Sequence, residues 1–171
     1  MTDSAFPYRT VSLVGMPGAG KSTVGVILAK RCGLGFCDTD LAIQVREGAM
    51  LQDIVDAVGT PRFREIEEQV LLAVPVDGAV VSTGGSVVYS DPVMQRLRAA
   101  GPVVYLEADL ATLEERVAAN PQRGIARAEG QSFADVLAER RPLYERYADV
   151  TVDAAGGGAD AVAARIQHAL A

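Results

Sequence analysis

Nine residues near the N-terminus restrict this chain more than any other feature. Gly15-Met16-Pro17-Gly18-Ala19-Gly20-Lys21-Ser22-Thr23 fits G-x-x-x-x-G-K-[ST] in full, after an apolar run at 10–14 and before a stretch of helical spacing. In that setting the backbone turns tightly from strand to helix. Successive N–H groups and the positive end of the helix then face one anion. The pattern is specific for the phosphates of a nucleoside triphosphate. Gly15, Gly18, Ala19, Gly20 and Thr23 form the cradle, Lys21 brings a mobile charge to the terminal phosphates, and the Ser22 hydroxyl is a candidate Mg²⁺ ligand.

The rest of the chain agrees with a parallel α/β domain. Apolar runs at 79–81, 102–106 and 150–152, and a weaker one at 35–37, alternate with helical patterns, as in βαβ units around a sheet buried on both faces. Thr60-Pro61 and Asp91-Pro92 each read as a capping residue followed by proline in the first helical turn. With 171 residues, 49% of them hydrophobic, the chain makes one domain over 1–171 with a real core. Residues 120–131 lack apolar periodicity and are the candidate lid.

Several chemistries are excluded. A net charge of −6 argues against nonspecific nucleic-acid binding. The one histidine, His168, lies near the end in an alanine-rich helix, which removes histidine–metal clusters and a Ser-His-Asp machine. Cys32 and Cys37 read as free thiols, in keeping with a cytoplasmic setting. No apolar run reaches the ~18 residues of a membrane span, and no secretory signal pattern opens the chain. There is no N-K-x-D base-reading motif of a GTPase. Glu107, ending an apolar strand, imitates the acid of a motor ATPase, but Asp38 is better placed.

The acceptor side is less specific. In Cys37-Asp38-Thr39-Asp40 an extended backbone turns both carboxylates the same way, suiting a magnesium ion on one and a substrate hydroxyl on the other. The alternative is an acidic helix start capped by Asp40. Arg64 has Glu67 and Glu68 three and four residues on, so an ordinary salt bridge competes with a ligand role. Arg140 extends the buried stripe Phe133, Val136, Leu137 and needs an anionic partner. Arg123 stands in the candidate lid, where a cation closes over transferring phosphates. Gly84 and Gly85, after the strand at 79–81, allow a ligand close to backbone N–H groups.

The phosphate loop, the D-T-D, F-R-x-I-E-E at 63–68, T-G-G-S at 83–86, V-V-Y-L-E at 103–107 and R-R-P-L-Y at 140–144 occur in the order seen in shikimate kinases. The chain resembles that family over essentially its whole length. The resemblance implies a three-layer α/β/α fold of the nucleoside-monophosphate-kinase group, with a five-stranded parallel sheet in the order 2-3-1-4-5, a lid near 120–131 and an acceptor-binding segment near 38–74. It implies ATP and Mg²⁺, a small anionic hydroxy acid as acceptor, no nucleic-acid or membrane partner, and a monomer. Carried over, Lys21 and Ser22 hold phosphate and magnesium, and Asp38 orients that magnesium. Asp40 holds the acceptor hydroxyl and acts as its base, Arg64 and Arg140 grip the acceptor carboxylate, and Gly84 and Gly85 offer backbone contacts. Arg123 is the lid cation and Arg116 packs on the adenine.

The departures fall on the acceptor side. The family usually has a third glycine at Ser86, R-P-L-[LI] where Arg123-Gly124-Ile125-Ala126 stands, an aromatic residue at Val55, and Gly-Glu where Gly59-Thr60 stands. Shikimate is the first expectation. Homoserine, gluconate, or a non-catalytic nucleotide-binding regulator are the alternatives.

Overall fold

The computed structural model describes residues 6–120 and 125–171. Five parallel strands, β1 (Val11–Val14), β2 (Gly35–Asp38), β3 (Ala79–Ser82), β4 (Val103–Glu107) and β5 (Val150–Asp153), lie in the order β2-β3-β1-β4-β5. The three central strands are apolar and buried on both faces, because helices cover them on both sides. The edge strands β2 and β5 are half-exposed and carry more polar residues.

Helix α1 (Lys21–Cys32) packs on β2 and β3 and on α8 (Gly158–Ala169), which reaches β5. On the other face, α5 (Asp91–Ala100) covers β1 and α7 (Phe133–Tyr147) covers β4, with α6 (Leu110–Ala118) beside α7. Between β2 and β3 the chain makes α2 (Thr39–Glu47), α3 (Leu51–Val58) and α4 (Thr60–Ala73), which pack on one another. Among the described residues no helix is long and apolar enough to cross a membrane.

Register places the site. Leu13 pairs with Ser82, Val14 with Tyr105 and Asp38 with Ser82, so β1, β2 and β3 end together. The phosphate loop, the D-T-D and the T-G-G-S therefore leave the sheet at one carboxyl edge, where ligands of open parallel sheets collect. Gly20, the N-cap of α1, has φ of 91°, a left-handed conformation that favours glycine at this junction.

Two local expectations need correction. Thr60 and Asp91 are not the caps but the first helical residues. Gly59 and Ser90 precede them, and the Ser90 side chain accepts from the Val93 N–H. Thr60 instead donates its hydroxyl to the Arg127 carbonyl at 2.7 Å, joining α4 to the residues before α7.

Leu97 of α5 is fully buried and lines neither the cavity at the phosphate loop nor the one beside Arg116. Leu97→Ala is expected to cost about 3 kcal/mol of unfolding free energy, read by denaturant titration, while leaving the nucleotide affinity unchanged.

Candidate active site

The phosphate loop is held by its own residues. The Lys21 ammonium is buried and donates to the carbonyls of Gly15 and Met16 at 2.7 and 2.9 Å, so the cation sits within the curve of the loop. Ser22 Oγ donates to Asp38 Oδ2 at 2.7 Å and lies 3.3 Å from Ser82 Oγ. A hydroxyl and a carboxylate in contact beside the cradle form an all-oxygen donor pair. That fits Mg²⁺, which binds through one or two protein oxygens with phosphate and water completing the shell.

Asp38 has a second task. Its Oδ1 accepts from the N–H groups of Asp40 and Leu41, capping α2 and leaving Oδ2 for Ser22. This corrects two expectations about the D-T-D: the cap is Asp38 rather than Asp40, and the pair is not extended. β2 ends at Asp38 and α2 begins at Thr39, so Asp40 reaches the cleft from the first turn of a helix.

The T-G-G-S forms the floor of a cavity of about 410 Å³ that also touches Lys21, Ser22, Asp38, Asp40 and Arg140. A side chain at Gly84 would lie 2.6 Å from Glu67 Oε2 and 2.8 Å from Asp40 Oδ1. One at Gly85 would lie 2.8 Å from Pro17 and 2.9 Å from an Arg140 nitrogen. Only bare backbone lets two carboxylates and a guanidinium approach this closely. Tyr144, stacked on Tyr105, donates to the Gly85 carbonyl at 2.6 Å and fixes that peptide. Burial holds the Tyr144 phenol well above its ordinary pKa, so it remains a donor.

Arg140 is 1% exposed and donates to the Ala126 carbonyl. Among the described residues it makes no ion pair, and its Nε has no hydrogen-bond partner. Of the two readings of Arg64, the ordinary salt bridge with Glu67 or Glu68 is not seen among the described residues. The Arg64 side chain does not line the cavity; its guanidinium lies 3.8 Å over the Tyr89 ring, which Arg140 also approaches, at 5.5 Å.

Arg116 donates to the carbonyls of Gly18 and Ala154, bridging the phosphate loop to the end of β5. It lines a second cavity of about 290 Å³ with Gly18, Ala19, Gly20 and Thr23. Arg123 and Gly124 lie outside the described residues. Glu107 lines neither cavity.

Sequence reasoning missed Glu67, which it saw only as a salt-bridge partner. Glu67 is 4% exposed, lines the main cavity and accepts from Ser86 Oγ at 2.6 Å. Burial raises its pKa to about 7 against the lowering effect of the Ser86 hydrogen bond; Asp40 raises it further, and Arg140 and Arg64 oppose this. The signal was available, since Glu67 falls on the stripe with Phe63, Val70 and Leu71 that helical spacing marks as buried.

The model of the shikimate kinase family matches residues 17–171. The chain belongs to the shikimate kinase family. The shikimate kinase of Halorhodospira halophila is 41% identical over 169 residues, covering 95% of this chain and 96% of that one. That of Pseudomonas syringae pv. tomato is 40% identical over 148 residues, covering 85% and 86%. Among solved structures, shikimate kinase from Acinetobacter baumannii in complex with shikimate superposes with a TM-score of 0.88 at 32% identity, covering 96% of this chain and 94% of that one. A gluconokinase from Sinorhizobium meliloti, at TM-score 0.50 and 21% identity, shares the fold alone.

Glu67 supplies a pH prediction for this shikimate kinase family member. Its carboxyl titrates at about 7 when folded and near the ordinary 4.5 when unfolded, so the folded state binds more protons between those values and stability falls as pH rises through them. Glu67→Gln is expected to match wild type near pH 4.5 and to gain on the order of 3 kcal/mol by pH 8. Denaturant titrations at both pH values check this; a difference independent of pH would contradict it.

Proposed function

We propose that this chain transfers the γ-phosphoryl group of ATP to one ring hydroxyl of shikimate, giving shikimate 3-phosphate and ADP, a step of aromatic amino-acid biosynthesis. The observation that carries the reading is Arg140. It is a buried guanidinium without an ion pair among the described residues, and it shares the Gly84-Gly85 floor with Asp40 in the cavity that touches Lys21. A carboxylate on Arg140, with Arg64 as second cation, leaves a ring hydroxyl for Asp40 to receive.

In this reading the hydroxyl oxygen attacks the γ-phosphorus as the bond to the β-phosphate oxygen breaks, and the hydroxyl proton passes to Asp40. Lys21 neutralises charge on the phosphoryl oxygens, with Arg123 joining from the lid. Ser22 and Asp38 would hold Mg²⁺, which supplies charge neutralisation on the phosphates. Arg116 packs against the adenine beside Gly18, Ala19, Gly20 and Thr23. The proposed enzyme is monomeric. It is also cytoplasmic, in keeping with the free thiols of Cys32 and Cys37.

Coupled ADP release with Mg-ATP and, separately, shikimate, homoserine and gluconate tests the acceptor. Turnover of shikimate is expected. Turnover of homoserine without shikimate would assign the substitutions around the floor to a change of acceptor. ATP binding without turnover of any would make the chain a nucleotide-binding regulator. Asp40→Asn is expected to lower kcat by about 10² to 10⁴ with the fold and ATP affinity retained; near-normal turnover would remove Asp40 from the mechanism.

A further inference from the structure

Tyr144 of α7 is fully buried, yet its hydroxyl reaches both halves of the cleft. It donates to the Gly85 carbonyl of the acceptor floor at 2.6 Å and lies 3.7 Å from Met16 Sδ of the phosphate loop. A phenol has one proton to give, so the near oxygen takes it and the sulfur is a softer contact. Each of these two neighbours also meets the cation of its own half. The Met16 carbonyl accepts from the Lys21 ammonium at 2.9 Å, and a side chain at Gly85 would lie 2.9 Å from an Arg140 nitrogen.

The sheet fixes where this hydroxyl stands. The Tyr144 ring stacks on Tyr105 at 5.1 Å, with 23° between the planes, and Tyr105 pairs with Val14, the last residue of β1 before the phosphate loop. Burial holds the phenol protonated, against the opposing pull of the Arg140 guanidinium, so the donor persists. Loop and floor also approach one another directly, where a side chain at Gly85 would lie 2.8 Å from Pro17. Proline has no N–H, so it donates no backbone hydrogen bond to the floor there. Neither Tyr144 nor Met16 lines either cavity, which places this contact behind the substrates rather than against them.

We propose that Tyr144 is a positioning residue that sets the spacing between the phosphate loop and the acceptor floor, so that the phosphoryl group at Lys21 and the hydroxyl at Asp40 meet in line. The inference rests on the reading of the cleft as a kinase site, and one arm of its test needs no turnover.

Tyr144→Phe removes the hydroxyl and keeps the ring. Each substrate retains its own contacts, so the KM of ATP and of the acceptor are expected within about twofold of wild type. Misplacement of the reacting atoms is felt in the transition state, and kcat is expected to fall about tenfold or more. Tyr147→Phe is the control: on the same helix it loses a hydrogen bond of the same 2.6 Å length, to Asp91, and it lines neither cavity. Its kcat should stay within about twofold of wild type. An unchanged kcat in Tyr144→Phe, a rise in either KM that accounts for the loss, or an equal loss in Tyr147→Phe overturns the proposal. The assay uses whichever of shikimate, homoserine and gluconate the wild type turns over. Should it turn over none, the acceptor reading fails and the link is measured by NMR. Gly85-Ser86 is the only Gly-Ser pair in the sequence, so ¹³C′-glycine with ¹⁵N-serine labelling isolates the Gly85 carbonyl. Titration with MgADP is expected to shift that resonance in the wild type and to leave it in place in Tyr144→Phe. A carbonyl that does not move in the wild type, or moves equally in both proteins, overturns the proposal, and the wild-type titration stands alone if Tyr144→Phe does not fold.

Discussion

The site depends on two residues without side chains. Gly84 and Gly85 lie where β3 leaves the sheet, and Asp40, Glu67, Arg140 and Pro17 come from four other places in the chain to within contact of their backbone. The charges there are buried, and charges taken from water persist only when each is matched by a hydrogen bond or an opposite charge. The floor meets that demand unevenly. Glu67 has a serine hydroxyl and remains raised to about 7. Arg140 donates to the Ala126 carbonyl and, among the described residues, makes no ion pair. An anionic ligand reaching Arg140 therefore gains more than a surface carboxylate gains from a surface arginine.

The sheet supplies rigidity and the helices supply chemistry. Because β1, β2 and β3 end in register, the phosphate loop and the acceptor floor are fixed to one scaffold. The Ser22–Asp38 hydrogen bond spans the first helix and the second strand at the point where a metal would neutralise phosphate. Tyr144 ties the floor to α7 and Arg96 ties α4 to α5 by donating to the carbonyls of Leu71 and Val74. Phosphoryl transfer needs little covalent participation from the protein, so holding charges in place is most of what such a scaffold contributes.

Much of this was legible in the sequence. Buried parallel strands appear as short apolar runs, and G-x-x-x-x-G-K-[ST] between strand and helix has few other uses, so the strands and the phosphate loop followed directly. Arg140 was marked by a charge on an apolar stripe, and its burial agrees. Errors arose where a local rule met a tertiary partner. Asp38 and Asp40 were read as extended because the pattern does not show that α2 starts without an intervening loop. Thr60 and Asp91 were taken for caps because the residues before them, Gly59 and Ser90, are also acceptable caps. Arg64 and Glu67 look like a routine helical pair in the sequence, and only the fold gives Glu67 the Ser86 hydroxyl and Arg64 the Tyr89 ring.

The central claim is that one cleft presents a phosphoryl donor at Lys21 and an anionic alcohol on the Gly84-Gly85 floor. A crystal structure of the protein with ADP, Mg²⁺ and shikimate tests it most directly. The account predicts the carboxylate on Arg140 with Arg64 beside it, and one ring hydroxyl within ~3 Å of Asp40, facing the phosphate loop. A carboxylate bound away from both arginines, or a hydroxyl turned from Asp40, would contradict it.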